Sequence, residues 1–177
     1  MNISEKADRK SRRFYYIKLC IFLSGLSVFA QLYLFQPLLP MVAEHFHTTV
    51  GDSSLLVSSS TIGMALGLFF FAFRADSFSR KKLMVFSLIV SAILTIISTW
   101  IPSLPLLIII GMVKGFVISG VSSVALAYLT EEVEISVVAL AISMYLSGNT
   151  IGGMSGRIAE GFWQLFSPEN SDGEMLF

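Results

Sequence analysis

Apolar residues in this chain run in long blocks, and the polar positions fall almost wholly between them. Five blocks stand out, at about 20–42, 54–73, 83–101, 105–128 and 137–156. Each holds about 18 to 24 residues, the length that crosses a hydrocarbon core of about 30 Å at 1.5 Å per residue. Lipid offers no partner to an unpaired backbone N–H or C=O, so each block is predicted to be a helix. Short polar joints such as "PSL" and "TEEVEIS" fit a packed bundle. The pattern therefore predicts an all-α polytopic membrane protein with about five transmembrane helices. A basic tail, residues 1–19, precedes the bundle at 20–163, and a polar tail, residues 164–177, follows it.

Composition agrees with that class. Hydrophobic residues make up 54% of the 177 residues and charged residues 14%, against about 25% charged in an ordinary soluble domain. Net charge is zero, yet ten of the twelve basic residues lie on two segments: Lys6, Arg9, Lys10, Arg12, Arg13 and Lys18 before the first block, and Arg74, Arg80, Lys81 and Lys82 between the second and third. The loop "AEHFHTTVGDSS" has none. Positive charge marks the cytoplasmic side, so the N-terminus and the second loop are expected inside. Trp100 and Trp163 fall near the expected outer interfaces, where indoles are common. Cys20 is the single cysteine, which excludes an internal disulfide. The polar N-terminal stretch is too long for a signal-peptide n-region, so the first block is expected to stay as a span.

Within the blocks, small and polar residues are spaced rather than scattered. Gly148, Gly152 and Gly156 recur every four residues and form one smooth stripe on a helix, with Gly153 beside it. Ser59, Gly63 and Gly67 do the same in the second block, and Gly111, Gly115, Ser119 and Ser123 in the fourth. Such stripes let helix backbones approach closely in lipid. Lys114 is the sharpest position. It falls near the middle of its span, and no acid stands within any of the five. An ionisable residue at that depth is costly, which makes it a candidate functional group. Gln31, Gln36 and Asn149 are the other side chains that could line a central cavity, or could instead serve helix packing.

The loops carry opposite charge. Asp76, Arg80 and Lys81 stand in the second loop, and Glu131, Glu132 and Glu134 in the fourth, on the same expected side of the membrane. That arrangement permits a latch across helix ends, with Asp76, Arg80 and Glu131 as one unit. A purely topogenic loop would gain only from its cations, about 1 kcal/mol each against anionic headgroups. Other chemistries find less support. "EHFH" (Glu44, His45, His47) lacks further ligands for a closed metal site. "GMSG" has the form of an intramembrane serine protease, but Ser155 needs a base on a neighbouring helix, and the histidines lie in an external loop. A small membrane protein that docks on a partner through its glycine stripes is the remaining alternative.

Three stretches resemble the major facilitator superfamily, nearest the YnfM-like members of its twelve-span drug:proton antiporter type. "AFRADSFSRKK" is similar to the first cytoplasmic signature G-x-L-A-D-R-x-G-R-K, with Asp76, Arg80 and Lys81 matching and Ala72 and Ser79 in place of glycines. "GNTIGG" resembles the fifth-span signature G-P-x-x-G-G, with Gly148, Gly152 and Gly153 matching and Asn149 in place of proline. "YLFQPLLP" resembles the exit of the first span. In the fourth span "GMVKG" aligns with R-x-x-Q-G, so Gly111 replaces an arginine and Lys114 takes the glutamine position. The resemblance implies an N-terminal half of a transporter in the bacterial inner membrane. It would export a small molecule by alternating access in exchange for protons, without cofactor, metal or nucleic acid. It also implies that the fifth-span glycine stripe packs on a C-terminal half, or on a second copy. The likeness ends near Ser167, so a truncated half is expected.

Overall fold

The computed structural model describes residues 6–7, 11–74 and 79–166, with side chains as far as Ser155 and at Ile158. Ser11 starts the first helix: its hydroxyl accepts a hydrogen bond from the Phe14 N–H at 3.1 Å. Helix α1 then runs Arg12–Leu32, beginning and ending earlier than the expected 20–42. Pro37 explains the early stop. In a continued helix its ring would clash with the carbonyl four residues before it, that of Tyr33, and the residue before a proline disfavours helical geometry. After a turn the chain resumes as α2, Leu39–His45, with Pro40 in its first turn, where no backbone donor is required.

A single turn, α3 (Val50–Ser53), is capped by Thr49, whose hydroxyl accepts from the Asp52 N–H at 3.0 Å. Then come α4 (Leu55–Arg74), α5 (Arg80–Ser98), α6 (Leu104–Glu132) and α7 (Ile135–Phe166). Helix α7 continues well past the expected end of the fifth span at 156. Five helices are long and apolar enough to cross a membrane, and no strand occurs among the described residues.

Helix α6 is the axis of the bundle. It is the most buried of the five long helices and packs mainly on α4 and α5, while α1 pairs with α7. Small residues make these approaches possible. A Cβ on Gly63 would land on the Met112 carbonyl, and one on Gly115 on the Ser60 carbonyl. Ser59 Oγ donates across the same seam to the Ile108 carbonyl at 3.0 Å. The stripes expected on spans two and four are thus the two sides of one interface.

The apolar core gathers towards the end that carries the N-terminus, where Phe14, Ile21, Leu83, Leu129, Val133 and Val137 pack around α6. No proline or glycine separates α6 from α7. The break falls at Val133, which is extended (φ −118°, ψ 148°). Ala7 holds it there: its N–H donates to the Glu132 carbonyl at 2.9 Å, and the Glu134 N–H donates to its carbonyl at 3.3 Å. Of each span, only 28–44% is buried within the bundle. Phe69, Phe73, Phe86 and Trp100 face outward. Helices so apolar and so exposed need lipid around them.

Candidate functional site

Two regions of the bundle carry the polar chemistry. The first is the end bearing the N-terminus, where α4 ends, α5 starts and α6 turns into α7. Arg80 Nη2 pairs with Glu131 Oε1 at 3.1 Å, joining the start of α5 to the end of α6. Glu132 pairs with Arg13 on α1. Lys6 Nζ donates to the Thr130 carbonyl at 2.8 Å. The acidic segment is therefore clamped from two sides, by the basic loop and by the N-terminal tail. Arg80 is 24% and Glu131 51% exposed, so such a pair contributes only about 0–1 kcal/mol alone.

Asp76, the third member of the expected latch, lies outside the described residues. Lys81 is exposed and lines an open groove with Ser79, Lys82, Val85 and Phe86. No ion pair to Glu131 is seen for it among the described residues. The clamp through Lys6, Ala7 and Arg13 has no counterpart in the sequence expectations. The alternation of charge between loops was visible in the sequence, but a two-residue backbone pairing leaves no periodic signal.

The second region lies in the middle and opposite half of the bundle. Lys114 is 2% exposed. Its ammonium sits 5.0 Å from the centroid of the Phe35 ring. Two buried side-chain polar atoms lack a hydrogen-bond partner among the described residues, Lys114 Nζ and Asn149 Oδ1. Both belong to residues that the sequence pattern singled out. A lysine at mid-span costs about 2.5–3.5 kcal/mol on insertion scales. A cation–π contact returns about 0.5–2 kcal/mol, so Phe35 offsets part of that cost.

Gln36 and Asn149 line one open cavity of about 400 Å³, together with Phe29, Tyr33, Thr150, Gly153 and Met154. Gln31 does not join them. Its amide donates to Ser27 Oγ at 3.1 Å and accepts from Thr95 Oγ1 at 3.1 Å, which ties α1 to α5. For Gln31 the packing role is the one observed.

The glycine stripe of α7 has a different neighbour from the one implied. A Cβ on Gly148 would land on the Phe22 carbonyl, and one on Gly152 on the Leu26 carbonyl. Gly148 and Gly152 of the stripe are thus filled by α1 of the same chain. Gly25 completes the fit from the other side, since a Cβ there would lie 2.6 Å from Asn149 Oδ1 and 2.7 Å from the Tyr145 carbonyl. Gly25 is the small residue that sequence reasoning passed over, because it has no neighbour at helical spacing. Gly153 has ordinary contacts with Tyr33 and Phe29. Gly156 lies in α7, but its surroundings fall outside the described residues.

Ser155 Oγ donates to the Gly152 carbonyl at 2.7 Å within its own helix. His45 meets Phe46 edge to face at 4.9 Å between ring centroids, at the end of α2. No cluster of three or more potential metal ligands occurs among the described residues.

Comparison with known proteins bears on this geometry. The family description of the Major Facilitator Superfamily matches residues 21–167. The chain is 39% identical over 158 residues to a protein of Escherichia coli K12 named inner membrane transport protein YnfM, covering 89% of this chain and 38% of that one. An uncharacterized transporter of Buchnera aphidicola from Schizaphis graminum is 38% identical, with 89% and 38% covered. The Bacillus subtilis MFS-type transporter YybF, also uncharacterized, is 34% identical, with 82% and 36% covered. The chain spans about two fifths of the length of these relatives. No solved structure matches it significantly.

Proposed function

This chain belongs to the Major Facilitator Superfamily, and from that premise we propose that it forms the N-terminal bundle of a secondary transporter. The transporter exports a small molecule in exchange for protons by alternating access, without enzymatic turnover. It lies in the bacterial inner membrane with the N-terminus and the Arg80–Glu131 end in the cytoplasm. The name of the Escherichia coli relative and the positions of the basic residues support that placement.

One observation carries the mechanism. The Arg80–Glu131 pair links a residue of the family's first cytoplasmic signature to the α6–α7 joint. A contact that bridges helix ends at one side of the membrane can hold that side shut while the other opens. The packed core at this end and the open cavity in the opposite half support the same state. Alternating access then requires a second bundle for the first to rock against.

The test is reconstitution of this chain with and without the uncovered remainder of the Escherichia coli relative, in vesicles with a trapped pH dye. With both pieces, some members of a panel of small organic solutes should drive a saturable proton flux. The chain alone should drive none. Saturable, gradient-dependent transport by the chain alone would contradict this and make a self-assembled dimer the working unit.

A further inference from the structure

Helix geometry places Lys114 about 15 Å from the Ser103 end of α6, near the middle of a bilayer. The acids on its own helix, Glu131 and Glu132, lie about 26 Å further along. A helical side chain tilts towards the helix N-terminus, so the ammonium leans away from those acids. There it meets Phe35, half-buried in the non-helical turn between α1 and α2. Gln36, next in the chain, lines the open cavity, and so does Asn149, whose unpartnered Oδ1 is itself buried against Gly25 of α1. The bundle thus presents one cation at mid-membrane under an aromatic cover. No described acid stands within reach of it.

We propose that Lys114 is the recognition group for a small organic anion, a solute bearing a carboxylate, sulfonate or phosphate, admitted when Phe35 swings off the ammonium. The proposal rests on the transporter reading and adds the charge of the cargo. A buried charge left unpaired is unfavourable, whereas one completed by a passing ligand provides selectivity. The same charge repels cationic solutes. Phe35 stands on a turn rather than on a packed helix, so its displacement leaves the bundle intact.

The experiment measures the field at Lys114 and needs no transport. In nanodisc-held chain carrying Cys20→Ser and Ile110→Cys, the new thiol lies one helical turn from Lys114, with about 5–6 Å between Cβ atoms. Its reaction rates with anionic ethylsulfonate and cationic trimethylammonium-ethyl methanethiosulfonates are each normalised to a free thiol. Even at the dielectric constant of water, a unit charge about 6 Å away favours the anion by roughly tenfold in this ratio. That preference should vanish in Lys114→Met and persist in Lys114→Arg, and Phe35→Ala should raise both rates while keeping it. A ratio unchanged by Lys114→Met means an uncharged packing lysine and overturns the proposal. So does the absence of reaction with either reagent when Phe35→Ala is present. Loss of the preference on assembly with a second bundle would assign the charge to a protein carboxylate, which also overturns it. Failure of transport alone would leave the charge preference measurable, so the two readings fail separately.

Discussion

An added methyl group would meet different surroundings at Gly152 and at Gly153. At Gly152 a Cβ would fall on the Leu26 carbonyl of α1, backbone that cannot move without separating the helices. At Gly153 the nearest atom is a Tyr33 ring carbon at 3.6 Å, an ordinary contact. Gly152→Ala should therefore destabilise the chain by about 1–3 kcal/mol, the usual range for overpacking. Gly153→Ala should be neutral or slightly stabilising, since alanine is the better helix former by up to about 1 kcal/mol. Denaturant unfolding in micelles measures both, and equal effects would contradict the assigned partner. Much at this scale was legible in the sequence. Lys114 and Asn149 stood out as polar groups in apolar runs, and Lys114 Nζ and Asn149 Oδ1 are the buried side-chain polar atoms without a hydrogen-bond partner among the described residues. The neighbour of the α7 stripe was not legible, because spacing shows that a face is smooth and not what lies against it.

Between elements, the charged end of the bundle holds the clearest coupling. Arg80–Glu131 ties the start of α5 to the end of α6, and Arg13–Glu132 ties α1 to the same segment. Each pair is partly exposed, so its value lies in holding a geometry rather than in stability. Arg80→Gln and Glu131→Gln should each raise the rate at which an impermeant thiol reagent reaches the cavity from the charged end, in protein assembled with a second bundle. The double variant should go little beyond either single one, since the pair is already broken. Additive effects would show two independent surface charges. Opposite charge on successive same-side loops made this pair visible in the sequence. The turn after Leu32 was carried in "YLFQPLLP" too, but the apolar run around Pro37 outweighed the proline and extended the expected span across the break.

For the whole molecule, hydrophobic block length alone predicted five membrane-crossing helices, and five helices among the described residues are long and apolar enough to cross a membrane. That signal is strong because a bilayer fixes both helix length and surface polarity. Which helices pair depends on the small-residue seams of α4–α6 and α1–α7, which need three-dimensional contacts to be read. In the proposed arrangement the bundle crosses the membrane five times with its ion-paired end in the cytoplasm. Residues 51 and 79 test it directly, for both are exposed and they stand at opposite ends of α4. On a Cys20→Ser background, Gly51→Cys should react with an impermeant maleimide in intact cells, and Ser79→Cys only after the membrane is permeabilised. Labelling of Ser79→Cys in intact cells would contradict the account.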